Sequence, residues 1–146
     1  MNTNLTLNKN DIESSVKLSL WFTGDEIPLE KITSILETEP AHSRKKSDWR
    51  VQNEFTCDEW VFDLKEINCS DVEELFQKFI GIFAPKTNSI KNICCDYNCK
   101  ASIILVIHME NCSQPYTILS PDTIAFLHSI NAEFVIDIYG YDNKEY

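Results

Sequence analysis

From residue 16 onward, Val16, Leu18, Leu20 and Phe22 are interleaved with Lys17, Ser19, Trp21 and Thr23. A period of two puts each set on its own side of the chain, so this stretch predicts a strand with one buried face. "TGDEIP" then turns the chain, with Gly24 expected to supply a positive φ and Pro28 to sit in the first turn of a helix. Leu29, Ile32, Ile35 and Leu36 give that helix its apolar stripe, and it should stop before Pro40, because a residue preceding proline resists helical geometry.

Residues 41–50 read as a connection, and the segment 48–67 as two short strands. In the second of these, Trp60, Phe62 and Leu64 face one way and Asp63 and Lys65 the other. The clearest helix follows. Ser70 as N-cap with Glu73 three residues on makes a capping box, and Val72, Leu75, Phe76, Phe79, Ile80 and Phe83 fall on one broad face. Pro85 closes it. "KTNSIKNICCDYNCK" reads as a polar connection with at most a helical turn. The stretch from Ala101 to Met109 is apolar on both faces and predicts a central strand. "NCSQP" turns into a short strand "YTIL". "SPDTIAFLHSIN" repeats the cap, proline and helix device, and Phe134, Ile136 and Ile138 mark one face of a last strand.

Interleaved strands and helices with hairpins place the chain in the α+β class. The expected architecture is a mainly antiparallel sheet with helices packed on it. The element order is that of a ferredoxin-like split βαβ sandwich with an added C-terminal helix and strand. Residues 1–14 lack any period and read as a flexible tail, leaving 15–142 as a single domain.

Composition narrows the function classes. The 146 residues carry 13 Lys plus Arg against 23 Asp plus Glu, a net charge of −10. Such a field disfavours nucleic acid and anionic membrane and suits a basic protein partner. The polar start has no signal-peptide core, and the longest apolar run, 103–107, is far too short for a membrane span. A cytoplasmic protein with reduced cysteines is expected. Four of the 13 cations, Arg44, Lys45, Lys46 and Arg50, fall in one window beside His42 and Trp49.

The order of several small features resembles a known family. They are the strand followed by "GDEIP" and a helix with Ile32 and Leu36, then Glu39-Pro40, Ser43, Lys46 and Asp48. Trp60 with Leu64, "CSDVEELF" and the terminal "SPDTIAFL…IDIY" complete the series. In that order they look like the bacterial family catalogued as domain of unknown function 4279, over about residues 16–139. The family pattern has Lys-Gly-Asp where this chain has Lys46-Ser47-Asp48, so the loop is expected to be shaped differently here. The resemblance implies a small soluble bacterial domain and transfers no catalytic residues.

Candidate chemistry is sparse. Cys94, Cys95 and Cys99 supply at best half a zinc site, and reduced thiols are the plainer reading. His128 reads as a core-edge residue, and His108 as lying on the second face of a strand. Asp137, in an apolar strand, reads as solvent-facing rather than as a buried acid. No nucleophile elbow or glycine-rich phosphate loop occurs among only three glycines, so no catalytic residue, metal or cofactor is assigned. Trp21 and Trp49 read as an exposed aromatic patch or, preferably, as a small second apolar layer beneath the loop.

Two functions stay open. One is a non-catalytic protein-binding domain, specifically an immunity protein covering the basic cleft of a toxin. The alternative is a small enzyme or ligand binder. Both use the candidate residues Arg44, Lys45, Lys46, Trp49 and Arg50, the first as a contact surface and the second to hold an anionic ligand. A blander role for the same cations is to cap the preceding helix.

Overall fold

A computed structural model describes residues 14–67, 71–110 and 114–141. All of the expected tail 1–14 except Ser14, the cap at Ser70 and most of the "NCSQP" turn lie outside them. Alternation builds β1 (Ser15–Gly24) as expected, with Val16, Leu18, Leu20 and Phe22 all buried. α1 (Leu29–Leu36) buries Ile32 and Leu36 but leaves Ile35 exposed, so its stripe is narrower than the sequence suggests. The chain then forms β2 (His42–Arg44), a 3-10 turn (Lys46–Asp48) and β3 (Asp58–Ile67). The expected pair of strands in 48–67 is therefore one strand, and its partner lies inside the window read as a connection.

α2 (Val72–Phe83) buries Val72, Leu75, Phe76, Phe79 and Phe83. Its N-cap is Asp71, whose carboxylate accepts the Glu73 amide at 2.9 Å. A 3-10 turn (Ala84–Lys86) links it to α3 (Thr87–Asp96), where only a polar connection was expected. Ile90 and Ile93 are the reason: two buried side chains three apart suffice to seat a short helix on the core. β4 (Lys100–Glu110) lies between β1 and β5, as its two apolar faces require. "YTIL" is not a strand; Tyr116 forms only an isolated bridge to Asp71. α4 (Pro121–Ser129) starts on Ser120, whose hydroxyl accepts the Thr123 amide, and β5 (Glu133–Tyr141) ends the fold.

The five strands order as β2-β3-β1-β4-β5. The α+β class holds. All neighbours are antiparallel except β4 and β5, which run parallel through the α4 crossover. β1 and β2 consequently run parallel with β3 between them, and β3 and β4 run parallel with β1 between them. Leu20 lies in register with Phe62 and Ile103, and Leu18 with Leu64 and Leu105. These rows form one sheet face, and they share a single core with side chains from all four helices. The helix layer stops short of the β5 edge, where Ile136 stays 50% exposed.

Gly24 does not use a positive φ. A Cβ there would stand 2.9 Å from Ile27 Cγ2 and 3.2 Å from Cys99 Cβ, so glycine is required for space. Ser47, where the family pattern has glycine, also avoids the left-handed region, and serine fits its 3-10 turn without strain.

Candidate functional site

The antiparallel register of β2 on β3 sets His42 opposite Val61, Ser43 opposite Trp60 and Arg44 opposite Glu59. It thereby brings the basic pair Arg44-Lys45 against the acidic pair Asp58-Glu59. Asp58 is only 3% exposed. Its carboxylate accepts the Lys46 amide at 2.6 Å, the Ile27 amide at 3.1 Å and the Lys45 ammonium at 3.0 Å. The Lys45 ammonium also donates to the Ile27 carbonyl at 2.5 Å. Burial alone would raise the Asp58 carboxyl, but the Lys46 amide, the Lys45 ammonium and the Ile27 amide hold it below its ordinary value. One acid thus ties together the turn before α1, the basic loop and the start of β3.

Glu59, on the opposite sheet face, accepts Arg44 Nη2 at 3.0 Å and lies 3.5 Å from His42 Nε2. The Arg44 guanidinium stands 3.5 Å above the Trp49 ring, whose indole N–H donates to the Cys57 carbonyl at 3.1 Å. Trp21 meets the His42 ring edge-on at 5.9 Å. The two tryptophans are accordingly half-buried members of a layer that runs through His42, Glu59 and Arg44 over buried Val61. That is the second layer rather than an exposed aromatic patch. Its polar satisfaction is incomplete: Trp21 Nε1 and Arg44 Nε are buried without hydrogen-bond partners among the described residues.

The basic window therefore divides. Arg44 and Lys45 are paired with buried acids, whereas the Lys46 and Arg50 side chains make no hydrogen bond or ion pair among the described residues. The window does not cap α1. Glu37 does so in the left-handed conformation, and Lys86 donates to the Leu36 carbonyl and, at 3.1 Å, to Thr38 Oγ1.

Beyond Trp49 the chain forms a loop where the sequence predicts a short strand. Asn53 organises its tip. Its side chain accepts the Phe55 amide at 2.9 Å and the Thr56 hydroxyl at 3.3 Å, while Thr56 Oγ1 accepts the Asn53 amide at 2.9 Å. Thr56 is buried by this turn, and Phe55 and Val51 are held outward at 83% and 73% exposure. They border a hollow of about 590 Å³ shared with Arg44, Trp49 and Arg50. The signal for this loop was present as a lone phenylalanine in a polar turn, but alternation cannot tell such a residue from a strand residue.

The remaining candidates do not converge on it. His128 is exposed on α4, not at the core edge, and His108 stacks on Tyr139 with ring centroids 5.0 Å apart. Asp137 is solvent-facing on β5, in register with Val106. Among the described residues no group of three or more His, Cys, Asp or Glu could hold a metal ion, and no helix is long and apolar enough to cross a membrane.

The model of the family described as domain of unknown function (DUF4279) matches residues 14–141. The chain belongs to that family. No curated protein and no solved structure matches it. As a DUF4279 domain it is matched from the residue preceding β1 to the end of β5, so both the Asp58 clasp and the loop it anchors fall inside the family unit.

Proposed function

We propose that this DUF4279 domain is a non-catalytic protein-binding module whose contact surface is the loop 49–57. The observation that carries the reading is Phe55. A large aromatic side chain is held almost wholly in water at the tip of a hydrogen-bonded turn, beside exposed Val51 and the cation Arg50. Exposed apolar groups on an ordered turn bind with little loss of conformational freedom, and aromatic residues with arginine are the usual anchors of protein contacts.

The net charge of −10 favours a partner with a basic surface, which an acidic protein approaches faster and orients better. The specific form of this reading is an immunity protein that covers the basic cleft of a nucleic-acid-cutting toxin. The anionic-ligand alternative gains less support, because two of the four loop cations are neutralised by Asp58 and Glu59.

A photo-crosslinking phenylalanine analogue at position 55 tests the contact in the native host. One basic protein should crosslink there and not from a control site at Ile138. A toxin partner should be neutralised by the wild-type chain and not by Phe55→Asp. Equal crosslinking from both sites, or a fully protective Phe55→Asp variant, sinks the proposal.

A further inference from the structure

The hollow at the α3–β4 turn shares no lining residue with the hollow bordered by Phe55 and Val51. α3 ends at Asp96, and Asn98 takes a left-handed φ of 49°, which folds the chain back so that the Cys99 amide donates to the Cys94 carbonyl at 3.2 Å. The turn therefore holds two cysteines, five residues apart in sequence, against each other. The Cys99 thiol donates to the Ile93 carbonyl at 3.5 Å and lies close enough to interact with the Cys94 sulfur. Both line a cavity of about 260 Å³, together with Lys91, Cys95, Lys100 and Asn131. Cys95 is exposed one position along α3, where successive side chains diverge by about 100°. It is thus poorly placed to replace Cys94.

We propose that Cys94 and Cys99 form a reversible redox pair, with Cys94 as the attacking thiol and Cys99 as the resolving one, and a hydroperoxide as the oxidant. Their inequality supports the order. The Cys99 thiol, with the Ala101 amide, lowers the Cys94 pKa against the effect of burial, while the Cys94 sulfur and burial push Cys99 up. The thiolate is the nucleophile, so the group held more acidic reacts first.

In the first step the Cys94 thiolate attacks the terminal oxygen of the peroxide. The O–O bond breaks, the alkoxide leaves and takes up a proton, and Cys94 becomes a sulfenic acid, oxidised by two electrons. In the second, the Cys99 sulfur attacks the Cys94 sulfur. The S–O bond breaks, hydroxide leaves, and with the Cys99 proton it departs as water. A dithiol reduces the resulting disulfide and is itself oxidised. The device would lock the α3–β4 turn where Cys99 packs against Gly24.

Peptide mapping of the wild-type full chain after stoichiometric hydrogen peroxide and thiol alkylation is the direct test. The expected product is a Cys94–Cys99 linkage, lost on treatment with dithiothreitol, with Cys57 and Cys95 still alkylated as free thiols. Before oxidation, Cys94 should alkylate several-fold faster than Cys57 at neutral pH, because burial and Glu59 raise the Cys57 thiol. In Cys99→Ser the sulfenic acid should persist at Cys94 and be trapped by dimedone. Linkage of either cysteine to Cys57, Cys69, Cys95 or Cys112 would overturn the proposal, as would uniform oxidation of the cysteines or equal alkylation of Cys94 and Cys57.

Discussion

Asp58 at the start of β3 and Glu73 in the first turn of α2 are both held below their ordinary carboxylate range, yet by partners of different kinds. Asp58 is buried and faces one cation and two backbone amides. Glu73 is part-buried and, against the effect of burial, is stabilised by neutral donors. It accepts the Thr123 hydroxyl at 2.8 Å, the Gln77 amide at 2.8 Å and the Ser120 amide at 3.3 Å. The first acid pins a loop to the sheet; the second joins α2 to the start of α4. The difference follows from what each must restrain. A connection with few apolar contacts needs a strong, directional tie, whereas α2 and α4 already share the core through Phe79 and Phe126.

Removing the stronger tie should cost most. Asp58→Ala strands the buried Ile27 amide and frees the loop, and should lower unfolding stability by about 3 kcal/mol in urea titrations. Asp58→Asn keeps an acceptor and should recover part of that loss. Glu73→Ala should cost about 1 kcal/mol, since helix packing persists without it. If Glu73→Ala proves the more damaging, the clasp is not what holds the loop.

Acid separates the folded and unfolded states in the same direction at both sites. A carboxyl with a folded pKa below its unfolded value stabilises the fold above the unfolded value, and that contribution vanishes as pH falls through the folded one. Stability should therefore fall with pH below the ordinary carboxylate range, and Asp58→Asn and Glu73→Gln should each flatten the slope there. Salt distinguishes them. The Lys45 side chain is half exposed, so its attraction to Asp58 is screened. Added sodium chloride should narrow the gap between wild type and Asp58→Asn, measured by urea midpoint, and leave the gap to Glu73→Gln unchanged.

The sequence made the core of this fold readable because burial imposes a period. β1, the apolar faces of β3 and α2, the two-sided β4 and the Ser120-Pro121 helix start all announce themselves that way. α3 escaped because Ile90 and Ile93 are too few to outweigh its polar neighbours. β2 escaped because three residues at a sheet edge, none of them buried, show no alternation. The basic window was conspicuous, but its meaning depended on a register that sets Arg44-Lys45 beside Asp58-Glu59, more than a dozen residues away. Opposed charge pairs flanking one long loop were the available clue. Their pairing turns an apparent anion site into the base of the loop that presents Phe55.

The smallest stability effect belongs to that residue. Phe55 makes its ordering hydrogen bond through its backbone, so Phe55→Ala leaves the Asn53–Thr56 turn intact. Its unfolding free energy should match wild type within about 0.5 kcal/mol. If the clasp exists to display this side chain, the same variant should weaken partner capture by at least tenfold, whereas Glu73→Ala, which costs more stability, should leave capture unchanged. Titration of the crosslinked partner against both variants compares the two ends of the molecule directly. A Phe55→Ala variant that binds as well as wild type would leave the clasp a structural tie with no surface to serve.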